Sequence, residues 1–320
     1  MIDIINQENI DQYTIINVNS IKDSLDKFSF YLEERKLLGA QLDLEEQNIV
    51  SRLKLDINNK PASSIICIFF PYLTESHSFD SNISVSAQGI DYHIWAKDKL
   101  KRIVQKLQIK YPNSTFSIQV DNGPLNERFF ALESGLGYKG INNMVINEVY
   151  GSYGFIGLIV TDLVLKEKRL PKKNCINCGK CIEYCPGKAL NYKNGFIGQR
   201  CASYLTQKKT ELSDSEIAIL KKSNKVYGCD ICQIVCPHNR DIKKSQEIDD
   251  VIKRLNLNDI ASLSNKEFKK NFGNRAFAWR GKNILVRNFN IIGDWLTIYD
   301  KMVLIIKRGK YIKWVSIILL

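Results

Sequence analysis

Residues 174–186 read "NCINCGKCIEYCP", four thiols at spacings of two, two and three residues, closed by a proline. Three cysteines at two-residue gaps wrap one corner of an iron–sulfur cubane, and the cysteine three residues later leads away from it. Pro186 suits the first turn of the segment that follows. A second run, "CDICQIVCPHN" at 229–239, holds Cys229, Cys232 and Cys236 before Pro237, with Val226 where a leading cysteine would stand. In the bacterial ferredoxin pattern the fourth thiol of a run serves the other cluster. Cys175, Cys178 and Cys181 then take Cys236, while Cys229 and Cys232 take Cys185, and Cys201 in "GQRCASYL" fills the remaining place. Zinc also accepts four thiolates, but zinc ribbons are built from paired CxxC knuckles and not from this pair of runs. The expectation is two 4Fe–4S clusters. His238 is read as a surface histidine, because the thiols already suffice.

The rest of the composition sets bounds. The chain has 320 residues, 44% hydrophobic and 25% charged, as in an ordinary globular protein of two or three domains. No basic start and apolar run marks a leader in "MIDIINQENIDQY", and no stretch gives eighteen unbroken apolar residues. A cytoplasmic protein without membrane contact is expected. Nine cysteines in such a compartment do not read as disulfides, and Cys67 in "SSIICIFFPYL" reads as a buried, inert thiol. Residues 1–160 hold 15 Lys and Arg against 19 Asp and Glu, so 161–320 hold 31 against 15. That basic half is either a solvated lysine-rich surface or a seat for a polyanion such as nucleic acid.

Ahead of the cysteines, helix-like and strand-like stretches alternate. Leu100, Ile103, Val104 and Leu107 share one helical face, and "SSIICIFF", "FSIQV", "MVIN" and "FIGLIVTDL" are β-rich. The expectation is an α/β (α+β) layer domain over 1–165. A polar, basic hinge, "LKEKRLPKKN", leads to a two-cluster ferredoxin-like module over 166–240. A helical, basic region follows at 241–320. Within the first domain, Asp121 ends a β-like run and enters the turn Asn122-Gly123-Pro124 ahead of a helix. A carboxylate there is placed to donate a proton, or else to form an Asx turn or helix cap. Gly135, Gly137 and Gly140 lie between a helix and a strand, the wrong order for a dinucleotide fingerprint.

Taken together, "VDNGPLNER", "SGLGYKGINN", "GSYGFIG", the two cysteine runs, "GQRCASYLTQKK" and "WRGKNILVRN" make the chain resemble the epoxyqueuosine reductases from about Arg52 to Asn288. The resemblance implies a cobalamin-binding domain fused to the cluster module. It implies reduction of the epoxide on a modified tRNA anticodon base to an alkene, with electrons from an external donor and a monomeric enzyme. Asp121 matches the catalytic acid. Arg52, Val145, Ile156, Ser203, Cys229 and Asp230 match positions that contact the cobalamin, as does Asp121 itself. Lys180, Gln207 and Lys209 match tRNA-facing positions. To hold its proton, Asp121 is expected to be buried against the corrin.

The chain departs from the family at Val85 and Ser86, where a basic residue and an aromatic are usual, and at Ile141, where Gly-Lys-Asn is usual. These positions are expected to bear on the grip on substrate or cofactor. Longer relatives continue into helical repeats, and this chain is expected to be a shortened version of them. A cobalamin-dependent reductive dehalogenase would share the cofactors but usually carries a twin-arginine signal. A plain electron carrier would leave the Asp121 region and the basic half without a role.

Overall fold

A computed structural model of the protein describes residues 2–27, 56–57, 60–121, 123, 125–192, 195–246 and 250–293. Its central sheet joins β1 (Tyr13–Asn17), β2 (Ser64–Pro71), β3 (Phe116–Val120) and β4 (Gly154–Thr161) in the order β1-β2-β4-β3. Every neighbouring pair is antiparallel. β2 and β4 run the whole length of one another, from Ser64 opposite Thr161 to Pro71 opposite Gly154.

β2 is apolar throughout because both of its faces are covered. Side chains alternate across a strand, so Ile65, Cys67 and Phe69 enter one core with Phe129, Phe130 and Ala131 of α2 (Glu127–Glu133). Ile66, Ile68 and Phe70 enter the other core, against Ala96, Leu100, Ile103 and Leu107 of α1 (Tyr92–Lys110). Val104, expected on that helical face, is only partly buried, and Ala96 is the fourth buried position. The layer is therefore α+β, helices flanking an antiparallel sheet. Burial pushes the Cys67 thiol up to about 12, leaving it protonated and unreactive at neutral pH.

The segment read as a hinge is instead a strap fastened to this layer. Lys168 exchanges backbone hydrogen bonds with Ile15 of β1, and Leu170 N donates to Ser134 O. The Lys168 ammonium also lies 3.4 Å from the centre of the Tyr13 ring. Beyond the strap come short helices with little regular sheet: α3 (Lys180–Tyr184), α4 (Ala202–Leu205), α5 (Asp214–Ser223) and α6 (Ile231–Ile234). Tight chain reversals suit a module whose side chains are committed to ligands.

The last described helices are α7 (Leu257–Ala261), α8 (Asn265–Phe272) and α9 (Lys282–Ile292). They bury Ile260, Phe268, Leu285, Phe289 and Ile292 with Ile83 and Ala87 from before α1 and with Val226 and Tyr227. Two buried asparagines fasten the three regions. Asn82 Nδ2 donates to Leu255 O at 2.8 Å while its Oδ1 accepts from Leu255 N at 3.0 Å. Asn288 Nδ2 donates to Thr206 O at 2.7 Å and to Val226 O at 2.8 Å. Residues 294–320, the end of the helical, basic region expected over 241–320, lie outside the described residues. Among those described, no helix is long and apolar enough to cross a membrane.

Candidate active site

The eight clustered cysteines fall into two sets. Cys175, Cys178, Cys181 and Cys236 line one small pocket with Ile141, Asn142 and His238. Cys185, Cys201, Cys229 and Cys232 line one wall of a separate cavity of about 340 Å³. Each expected quartet thus shares one pocket. α3 carries Cys181 and ends at Cys185, so one short helix presents a thiol to each set. Among the described residues no three His, Cys, Asp or Glu side chains close on a point that one ion would fill.

His238 is not the loose surface histidine that was expected. Its Nδ1 lies 2.8 Å from the Tyr138 hydroxyl, and Nε2 accepts from Ile176 N at 3.3 Å, which fixes the loop between Cys175 and Cys178.

Opposite the second set, the larger cavity has apolar walls from Tyr72, Met144, Phe155, Leu190 and Phe196. Its edge is polar, with Ser84, Ser86, Ser203, Asn142 and Gln233. Asp230 also lines it and is fully enclosed; it accepts from Val85 N at 2.8 Å, and burial pushes its carboxyl up to about 6. Arg128, Asn143, Met144, Gly154 and Phe155 belong as well to a second cavity, of about 170 Å³, so the two adjoin. Arg128 at the junction is held by Asn143, whose Oδ1 accepts at 3.1 Å.

Asp121 lines the smaller cavity with Tyr92, Glu127, Val145 and Ile156. It follows the last residue of β3 and has φ of +60°, a left-handed backbone that Asp tolerates better than most residues. Gln119 holds the turn after it: its Oε1 accepts from Leu125 N at 2.9 Å and its Nε2 donates to Leu125 O at 2.7 Å. A Cβ on Gly123 would fall 2.0 Å from that amide and push it off its bonds to Leu125. The helix cap of α2 is Asn126, whose side chain accepts from Phe129 N.

The carboxylate of Asp121 instead meets α1. His93 Nε2 lies 3.1 Å from Asp121 Oδ2, and His93 Nδ1 lies 2.7 Å from Asp91 Oδ1. The Tyr92 phenol also hydrogen-bonds Asp121, and its ring stacks on Phe155 at 3.7 Å between centres. Two flanking carboxylates, Asp121 foremost, raise His93 from 6.5 to about 9. An imidazolium in the first turn of a helix loses about 0.3–1 kcal/mol to the helix dipole, and here the carboxylates outweigh it. At neutral pH the proton of the pair sits on His93. The protein leaves the Asp121 side chain 47% exposed, more open than the burial expected of it.

Asp91, Tyr92 and His93 carry this arrangement, and the sequence reading passed over them. The signal was "DYH" at a helix start, where Asp91 caps α1 by accepting from His93 N. Of the positions matched to cobalamin contacts, Val145 and Ile156 line the smaller cavity and Ser203, Cys229 and Asp230 the larger. Arg52 lies outside the described residues. Lys180 opens α3 and Lys209 is exposed. Gln207 Oε1 accepts from Trp279 Nε1 at 3.0 Å and from the Tyr227 hydroxyl at 3.3 Å. None of the three lines either of these two cavities. Among the departures, Ser86 lines the larger cavity, Val85 holds Asp230 through its N–H, and Ile141 packs against Cys181 and Cys185.

Comparison with known proteins places these features in a family context. A family model described as epoxyqueuosine reductase QueG matches residues 52–122, and one described as a 4Fe-4S double cluster binding domain matches 174–239. An epoxyqueuosine reductase of Lactococcus garvieae is 33% identical over 268 residues, covering 80% of this chain and 76% of the relative. The solved epoxyqueuosine reductase of Streptococcus thermophilus superposes with a TM-score of 0.73 at 30% identity, over 96% of this chain and 85% of that one. A second solved epoxyqueuosine reductase, bound to an epoxyqueuosine-modified tRNA-Tyr stem loop, gives a TM-score of 0.76 at 29% identity. That match covers 91% of this chain and 79% of the other.

Proposed function

Since the chain belongs to the epoxyqueuosine reductase family, we propose that it reduces the epoxide of epoxyqueuosine in tRNA to the alkene of queuosine. The observation that carries this is that the two cavities adjoin and share five lining residues. Asp121 lines one of them, and four thiols wall the other.

An epoxide becomes an alkene by taking two electrons and two protons and losing its oxygen as water. The two thiol quartets, holding a 4Fe–4S cluster each, form the electron path. Cys178 is exposed, so an external donor meets the first quartet at the surface, and Cys185 begins the second quartet on the cavity side. The cavity between that quartet and Asp121 suits a corrinoid, with apolar walls for a broad flat ring and a rim of hydroxyls and amides for its polar edge. Val145, Ile156, Ser203, Cys229 and Asp230 would hold cobalamin there, with Arg52 joining from outside the described residues. Cobalamin, when bound and reduced, supplies electron-rich cobalt for the chemistry at the epoxide carbon. Asp121 gives the departing oxygen its proton, and Tyr92 and His93 orient the carboxylate. Phe155 stacks on the Tyr92 ring and fixes the phenol beside Asp121. The basic second half of the chain seats the phosphates of the stem loop, and the modified base reaches the site splayed out of its loop.

Incubating tRNA that carries epoxyqueuosine with the anaerobically reduced, cobalamin-loaded protein and digesting it to nucleosides tests the proposal. Queuosine is the expected product. Unchanged epoxyqueuosine beside intact clusters and corrinoid would refute it.

A further inference from the structure

Asp121 alone accounts poorly for the protons of this reaction. The oxygen must be protonated twice in each turnover, while the carboxyl carries at most one proton and is nearly half exposed. Behind it stands a second acid. His93 Nε2 is 3.1 Å from Asp121 Oδ2 on one side, and Asp91 Oδ1 is 2.7 Å from His93 Nδ1 on the other. We propose that His93 is the store from which Asp121 draws both protons, and that Asp91 fixes the imidazole tautomer that makes this possible. The inference rests on the reading of the site as an epoxide reductase.

The proton path balances. The Nε2–H of the imidazolium passes to Asp121 Oδ2, and the Asp121 proton passes to the epoxide oxygen as the first C–O bond breaks. His93 is left neutral, with its Nδ1–H still donated to Asp91, so the returning proton goes to Nε2. The His93 side chain is 35% exposed, enough for water to return a proton to it. A second passage along the same atoms protonates the oxygen again. It leaves as water when the second C–O bond breaks and the C=C bond forms, and the two electrons come from the reduced clusters. His93 is thus a positioning and proton-supplying residue that acts through Asp121.

The charge around the imidazole supports the storage role. Asp91 and Asp121 flank it and the Tyr92 ring lies 4.1 Å from it between centres, while Glu127 and Arg128 line the smaller cavity with Asp121. Arg275, Arg280, Lys269 and Lys282 line a hollow that Asp91 also lines, offset from the imidazole. With its two carboxylates in contact, His93 keeps its proton to about 9, so the store is full over the whole neutral range.

Two measurements on the complete, cofactor-loaded enzyme test this. The chain has three histidines, so the His93 ring signals can be assigned with the His93→Gln variant and titrated by NMR. The expected midpoint lies near 9, moving toward 6.5 in Asp121→Asn. A midpoint near 6.5 in the native enzyme would overturn the proposal, and this arm does not depend on the substrate being right. In the second arm, His93→Gln, which keeps hydrogen-bonding capacity, should lose about 10²-fold in single-turnover rate. The native rate should fall near pH 9, His93→Gln should lose that fall, and added imidazole should restore His93→Ala. Native-like pH profiles in both variants, with no imidazole effect, would overturn the store while leaving the reductase reading intact. Absence of product from the native enzyme would sink that reading, and the titration would still decide whether His93 holds the proton.

Discussion

Cys181 in α3 and Cys185 at its C-cap stand one helical turn apart, yet they line different pockets. Both pack into one apolar cluster with Ile141, Ala189 and Leu190, and Asn142 borders both pockets. That single helix therefore places the two quartets side by side.

The quartets predict a selective pattern of iron loss. Reconstituted native protein should hold about eight irons per chain, two four-iron clusters on eight thiolates. Cys201→Ala should lose about half of them, because Cys201 lines only the second pocket. Cys67→Ala should lose none. Iron analysis with electron paramagnetic resonance checks this, and full iron content in Cys201→Ala would contradict the assignment.

Lys208 and Lys209, adjacent in sequence, should behave differently. Lys208 Nζ contacts both Glu216 carboxylate oxygens, at 2.7 and 2.8 Å, so Lys208→Ala should lower thermal stability. Lys209 is exposed. Lys209→Ala should weaken tRNA binding and reduce the salt slope by about one for a lost phosphate contact. Binding titrations between low and high salt distinguish the two; an unchanged slope in Lys209→Ala would remove Lys209 from the tRNA surface.

The His93 pairing gives stability a pH window. Its folded-state value of about 9 lies above the ordinary 6.5, so the stabilisation is complete below 6.5, declines from there, and is lost as pH rises through 9. With the pair partly exposed, the effect should be about 1 kcal/mol or less. Melting curves from pH 6 to 10 should show this decline in the native protein and a flatter course in His93→Gln. Parallel courses would contradict it.

Asn288 is fully buried and its amide satisfies two carbonyls from the cysteine-rich region. Asn288→Ala strands both, and an unsatisfied buried group costs about 1–3 kcal/mol. Denaturant unfolding should show a loss of about 2 kcal/mol or more; a loss within error would mean that water replaces the amide.

What the sequence made legible follows from where the information is local. The strand at 116–120 and the apolar strand at 64–71 show themselves through β-branched and aromatic runs, and α1 through its period of burial. The thiol sets are legible because ligand spacing is written along the chain. Sheet order is not: β3 and β4 pair with 33 residues between Val120 and Gly154, and nothing local specifies antiparallel over parallel. The Asp91–His93–Asp121 line was hidden for a similar reason. It forms only when α1 packs beside β3, and 28 residues separate His93 from Asp121. The strap was misread because a run of Lys, Arg and Pro has the composition of a linker. Its attachment runs through the backbone bonds of Lys168 and Leu170, which composition does not record.

The most direct test of the account is the single-turnover yield of queuosine from Asp121→Asn. Asparagine keeps the size and hydrogen bonding of aspartate but has no proton to give. The variant should fold, hold both clusters and bind corrinoid as the native protein does, while its rate falls by about 10²–10⁴. Near-native conversion by Asp121→Asn, with cofactors intact, would contradict the proton-donor role and reduce Asp121 to a residue of the turn.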